Sequence, residues 1–335
     1  MNLKPVNDFQ VFTSDAMTSA EFHMNESHIT AEDLIALAKT CPAKFRWSEN
    51  ADKEMERSQA TAIAARAAMV NPDHFANGFY RMPAKEDYPD ALTSDEKIKS
   101  WLKERGQIGY SKLKTPELIA MVNEQIKMAP EPVQIWAEIT AKAEAEAGNR
   151  IQVNGTDFDN VLRMRETIAN NPYLNEIISG GDYGVCLFGE VLGIPMKTRF
   201  DKMVETERGV ELWRYRTSSD TNPEKYIPRM YDSYYQIKMA LDYIMFQKAF
   251  GFAPAVVGVL AQERTAPFIA VPFTMDNKMK LIGMHQIKAA GSLYKAANLA
   301  DNWPSYAGGE PVPMSPPSYI EKQFKALWED EETKS

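Results

Sequence analysis

The sequence predicts an α/β fold: a sheet flanked by helices, with a helical insertion. Three observations carry this. Between Asp182 and Asp220, β-rich runs at Tyr183–Phe188, Pro195–Val204 and Val210–Thr217 follow one another across Gly189, Gly193 and Gly209, the pattern of a strand meander. Segments before and after the meander carry apolar residues at helical spacing, the longest over Tyr226–Phe250. At 335 residues and 44% hydrophobic content, the chain can bury one large domain with an insertion.

Taken in order, residues 1–27 carry little periodicity and are expected to form an N-terminal arm. Thr30, with Asp33 three residues on and apolar Leu34, Ile35, Leu37 and Ala38, marks a helix start within His28–Trp47. Met55–Val70 reads as a second helix, leading into a turn at Asn71–Phe75 in which His74 faces solvent or caps. Met82–Thr93, with two prolines and four charges, reads as a linker. Ser94–Val122 then forms an amphipathic pair, with Ile98, Trp101 and Leu102 on one helix and Leu118, Ile119 and Val122 on the other. Thr115-Pro116-Glu117 supplies an N-cap, a proline and an early acid to the second. Pro132–Gly148 and Asp157–Asn171 are further helices that deliver the chain to the meander. Beyond Phe250, Ala255–Gln262 and Pro267–Pro272 are strands across the turn Glu263–Ala266, Met275–Leu299 is a helix, and the proline-rich Gly309–Pro317 is extended. Glu329–Glu332 reads as a solvated acidic run.

Composition limits the function classes. No apolar run approaches the length of a membrane span and the start lacks an apolar leader, so a soluble chain without a membrane partner is expected. Cys41 and Cys186 are too far apart for metal-ligand spacing and read as reduced, buried thiols of a cytoplasmic protein. A net charge of −8 argues against a wholly basic nucleic-acid coat but leaves room for a local basic channel.

The meander carries a resemblance. Arg199-Phe200-Asp201-Lys202, a turn, and then a strand closing in Arg214-Tyr215-Arg216-Thr217-Ser218 resemble the nuclease core of the RecE (exonuclease VIII) and phage lambda exonuclease group of the PD-(D/E)XK superfamily. Cys41-Pro42-Ala43-Lys44-Phe45-Arg46-Trp47, Phe250-Gly251-Phe252-Ala253-Pro254 and Trp303-Pro304 are similar to that group's landmarks. The resemblance covers residues 28–82 and 170–325. It implies a PD-(D/E)XK core with a mixed central sheet over 28–82 and 149–325, a helical insertion over 83–148 and an acidic tail over 326–335. Residues 94–122 are in turn similar to SAP-type helix-extended-helix modules that touch DNA backbone; a plain spacing hairpin is the alternative.

In that group the first strand supplies an Asp, and the second an acid and a Lys at i and i+2. These share one strand face and hold a divalent metal and the attacking water. Here Asp201 fills the first position, and Asp182 stands at an upstream acidic one. Arg214 and Arg216 fill the other two; a guanidinium offers no lone pair and stays protonated. Arg66 stands where the group has His, Lys238 where it has Gln, and Asp242 where it has Tyr. The resemblance therefore implies a degenerate site with no cofactor and, at Asp201, a poor Mg²⁺ ligand set.

Four readings follow. If the fold closes on the expected plan, Arg66, Arg214, Arg216 and Lys238 converge near Asp201 and grip a DNA phosphate or end without cutting it. Alternatively the old site has collapsed into salt bridges with Asp201, Asp182 and Glu211. A third reading keeps an active Mg²⁺-dependent 5'-3' double-strand DNA exonuclease with a migrated acid, Glu190 or Glu211, beside Asp201. The fourth is an inhibitor of a host repair or defence complex. The group's context implies phage or prophage DNA recombination in a bacterial cytoplasm, as a homo-oligomer beside a single-strand annealing protein.

Overall fold

The structure, a computed structural model, describes residues 3–48 and 57–325. Strand β1 (Gln10–Phe12) precedes helices α1 (Ser19–Met24), α2 (Ala31–Lys39), α3 (Pro42–Ser48), α4 (Arg57–Val70) and α5 (Pro72–Gly78). Strand β2 (Phe79–Arg81) leads to α6 (Asp95–Glu104), α7 (Thr115–Met128) and α8 (Trp136–Ala147), and β3 (Ile151–Val153) to α9 (Gly155–Ala169) and α10 (Pro172–Ser179). The meander contains β4 (Asp182–Tyr183), β5 (Cys186–Val191), β6 (Ile194–Arg199), β7 (Lys202–Thr206) and β8 (Gly209–Ser218). Then come α11 (Pro223–Asp232), α12 (Tyr235–Phe250), β9 (Val256–Glu263), β10 (Ala270–Thr274), α13 (Asn277–Ala300) and α14 (Ser318–Gln323).

The central sheet has the order β10-β9-β8-β7-β4 and is mixed: β8 and β9 run parallel, and the other neighbours antiparallel. A second sheet, β1-β5-β6, continues the meander, and β2 and β3 form a short parallel pair. Helices cover both faces. Packed on one face are α2, α12 and α13, sharing a core with Leu34, Phe200, Leu212, Leu241 and Phe246. Behind the other are α4, α5, α9 and α10, around Ala64, Met69, Phe75, Met164, Trp213 and Tyr215. Gly258 on β9 is required by this second layer, because a Cβ there would stand 2.3 Å from the Trp213 ring. The pair α6 and α7 closes a separate small core of Ile98, Trp101, Leu102, Leu118 and Val122 with Leu92 and Ile135.

Several expectations are corrected by packing. Of the arm expected over 1–27, the described residues 3–27 are docked: β1 pairs with β5, Phe9 and Phe22 are buried, and the Lys197 ammonium donates to the Phe22 carbonyl (2.6 Å). The run Pro195–Val204 is two strands, β6 and β7, that leave one sheet for the other at Phe200-Asp201. The bend is stitched by Phe200 N–H to Val185 O (2.9 Å) and Gly184 N–H to Asp201 O (3.2 Å). The helix expected over Tyr226–Phe250 breaks at Ser233-Tyr234, where Tyr234 has φ 60°, so α11 and α12 are separate. Helix α7 is capped one residue earlier than expected: the Glu117 carboxylate accepts from the Lys114 N–H (2.9 Å). The α2 start is as the sequence reads, with Asp33 and Thr30 closing a capping box. Met55 and the acidic residues 326–335 lie outside the described residues. Among the described residues no helix is long and apolar enough to cross a membrane.

Candidate functional site

Strand alternation builds the site. On β8, Leu212, Arg214 and Arg216 point to the α12 side, while Glu211, Trp213 and Tyr215 point to the α4 side. The end of β6 and the bend after it bring Thr198 and Asp201 alongside, α12 adds Lys238 and Asp242 from above, α2 adds Glu32, and α4 reaches in with Arg66. These elements enclose a cavity of about 560 Å³ whose charged lining is Glu32, Arg66, Asp201, Arg214, Arg216, Lys238 and Arg264. A smaller one of about 230 Å³ adjoins it toward α1 and β6, sharing Glu32, Arg66, Asp201, Arg214 and Lys238 and adding Lys197 and Arg199.

All four cations singled out in the sequence line this trough, in different states. Arg214 is nearly buried and bidentate on Asp242, Nε to Oδ2 at 2.6 Å and Nη2 to Oδ1 at 2.7 Å, with Nη2 also donating to Thr198 Oγ1 (2.9 Å). Burial opposes its charge, and Asp242 outweighs that, so its pKa moves above the ordinary arginine value. Lys238 hydrogen-bonds Glu32. The two partners shift the same way for different causes. Crowding around the Glu32 carboxyl opposes ionisation, but Lys238 and then Arg214 outweigh it and hold Glu32 at about 2. Lys238 is pulled down by desolvation and then by Arg214, with Glu32 opposing both. Arg66, half exposed, lies 3.6 Å from Asp201 Oδ1. Arg216 is exposed, lies 5.0 Å over the Tyr235 ring and has no ion pair among the described residues.

The acids are arranged otherwise than the sequence suggested. Asp201 is in place and buried, but its Oδ2 accepts the Tyr215 N–H (2.8 Å) and its Oδ1 faces Arg66. Asp182, on β4 opposite Met203, lines neither cavity, because the two-residue strand sits at the far edge of the sheet. Glu190 is exposed on β5, in the other sheet. Glu211 is buried behind β8, bonded to Thr206 Oγ1 (3.0 Å), Arg208 Nη2 (2.7 Å) and Trp213 Nε1 (2.9 Å). Strand parity fixes Glu211 on the face away from Arg214 and Arg216, and Glu190 lies in the other sheet. The carboxylates that pair with the four cations are Asp201, Glu32 and Asp242, while Glu211 pairs with Arg208.

A divalent metal, which this fold implies, needs at least two free oxygen ligands beside substrate phosphate. Asp201 has both oxygens engaged, a guanidinium stands at the second ligand position, and no three His, Cys, Asp or Glu side chains converge on a metal site among the described residues. The donor set does not fit the ion.

Sequence reading missed Arg264. It lies in the β9–β10 turn, but the parallel pairing of β8 with β9 sets Glu263 opposite Ser218, and Arg264 N–H bonds Ser218 O (3.2 Å), so its side chain reaches the trough. A cation immediately after a strand parallel to the catalytic one was the available signal.

A mixed five-stranded sheet between helical layers, with an Asp at the bend into the strand before β8 and the site at the end of β8, defines a PD-(D/E)XK-like nuclease fold. The chain belongs to the family described as a PDDEXK-like domain of unknown function (DUF3799), which it matches over residues 121–310. Among solved structures it is similar to a protein from Eubacterium rectale named as a putative exonuclease, at 12% identity, covering 92% of this chain and 98% of that one, with a TM-score of 0.50; this likeness is one of fold. SSO0001 matches at 10% identity over 61% of this chain and 85% of that one, with a TM-score of 0.24, and carries no argument. No curated protein matches the chain.

Proposed function

We propose that this is a RecE-like member of the nuclease fold that binds DNA phosphate in the trough and does not cut it. The observation that carries the reading is the exchange of metal ligands for cations: Arg214, locked on Asp242, fills the acid's position, and Arg216 two residues on presents an unpaired guanidinium to the cavity. Guanidinium forks suit phosphate oxygens, and each such contact adds salt-dependent affinity. Hydrolysis is disfavoured here, since the carboxylates near Asp201 are taken up by cations, Glu32 by Lys238 and Asp242 by Arg214. The setting is phage or prophage recombination or anti-defence, beside a single-strand annealing protein, as the resemblance implies. The test is fluorescence anisotropy of labelled DNA in EDTA over a salt series. Binding that weakens steeply with salt, and that Arg216→Ala weakens further, supports the reading; no binding at low salt overturns it.

A different observation favours a second reading. Arg66, Arg214 and Lys238 each have a carboxylate partner inside the chain, as in a closed scaffold. Such a scaffold works through a host repair or defence protein, and co-purification of that protein without DNA binding would favour it.

A further inference from the structure

The trough does not end at the old catalytic position. Past Arg216 it opens into a further cavity of about 500 Å³, and Arg264 lines both. Because β8 and β9 are parallel, their C-terminal ends lie together, and the residues following them, Ser218, Ser219, Arg264 and Thr265, form one wall. Helix α9 forms the opposite wall with Asp157, Asn160 and Met164. Arg264 has no ion pair among the described residues, and the Asn160 carboxamide makes no hydrogen bond among them. At the rim Arg229 donates to Ser219 Oγ (3.1 Å) and to the Asp220 carbonyl (2.5 Å).

We propose that this hollow is a nucleotide subsite, so that the trough takes a single strand: one phosphate at Arg216, the next at Arg264, and the intervening base in the hollow. This rests on the phosphate-binding reading of the main cavity. The chemistry matches an unstacked nucleotide. A guanidinium meets the phosphate, the Asn160 carboxamide and the Thr265 hydroxyl offer both donors and acceptors to a base edge, and the buried Met164 closes the floor beneath them. A duplex presents its phosphates outward and keeps its bases stacked inside, so it can use Arg216 and Arg264 as charges but cannot fill the hollow.

The experiment measures binding of labelled oligothymidylates of increasing length, and of the matching duplex, in EDTA over a salt series. Single strands release about 0.7 counterion per neutralised phosphate, so two contacts give a log–log slope of about −1.4. Arg264→Ala is expected to lower the slope to about −0.7, and Arg264→Lys to restore it. Asn160→Ala, at a half-buried position on α9, is expected to weaken oligomers about two- to tenfold with no change in slope and to leave competition by inorganic phosphate unchanged. Duplex binding tighter than single-strand binding, or single-strand binding indifferent to Arg264→Ala and Asn160→Ala, overturns the subsite while leaving the phosphate grip standing. Absence of all binding overturns both.

Discussion

The two faces of β8 each carry an arginine–carboxylate pair at different depths. On the α12 face the cation is enclosed: Arg214 is 11% exposed and Asp242 1%. On the α4 face the acid is enclosed: Glu211 is 3% exposed while Arg208 is 59% exposed. The first pair has two parallel hydrogen bonds and almost no water. The second holds an acid that also accepts from Trp213 and Thr206, so its arginine is the dispensable partner. The same pairing is thus a keystone on one face and a surface contact on the other, and alternation holds Glu211 on the face away from Arg214 and Arg216.

This contrast can be broken from either side. The largest effect is expected from the packed face: Trp213→Ala should lose about 3–5 kcal/mol of stability in denaturant unfolding, because the fully buried indole fills the space left by Gly258. On the other face, Asp242→Ala strands a buried guanidinium and should cost about 3–4 kcal/mol, whereas the double variant Arg214→Met, Asp242→Leu should recover most of that loss. Arg208→Ala should cost no more than about 1 kcal/mol, since its partner Glu211 keeps two other donors. Equal costs for Asp242→Ala and Arg208→Ala would erase the distinction between the faces. Arg216→Ala should stay within about 0.5 kcal/mol of the natural chain in stability while weakening DNA binding, because its guanidinium is exposed and meets just the Tyr235 ring and the Met230 sulfur among the described residues.

The smallest expected effect is one of pH. Glu32 has a folded pKa of about 2, below its ordinary carboxylate value, so its contribution is present above the unfolded pKa and is lost as pH falls toward 2. Unfolding followed across that acid range should therefore show a loss of stability that Glu32→Gln diminishes. The size is modest because Glu32 is well exposed. An identical acid profile in the two proteins would remove Glu32 from the network.

What was legible in the sequence was what is local. The capping box at Thr30 and Asp33, the strand alternation that sets Arg214 and Arg216 on one face, and the long apolar stripe of α12 each follow from residues a few positions apart. The bend at Phe200-Asp201 was hidden because a β-rich run looks the same whether it stays in one sheet or crosses to another. Strands β1, β2 and β3, three residues each, are too short to show a period. The partners of the cations were hidden for a different reason. Asp242 is 28 residues from Arg214 and Glu32 is 206 from Lys238, so only the packing of α2 and α12 over the sheet brings them together. Asp242, which the resemblance sets where that group has Tyr, serves in the structure as the counter-charge of Arg214.

On the proposed reading, building a metal site here takes more than two changes. Arg214→Asp with Arg216→Lys alone would set a new carboxylate against Asp242 with no cation between them, so the restoring variant needs Asp242→Asn as well. The most direct measurement is digestion of linear double-stranded DNA by the natural chain with Mg²⁺ or Mn²⁺, beside that triple variant. The account expects no cutting by the natural chain at protein concentrations that bind DNA. Metal-dependent cutting by the natural chain, abolished by Asp201→Ala, would contradict it and mean that a second acid reaches Asp201 during the reaction.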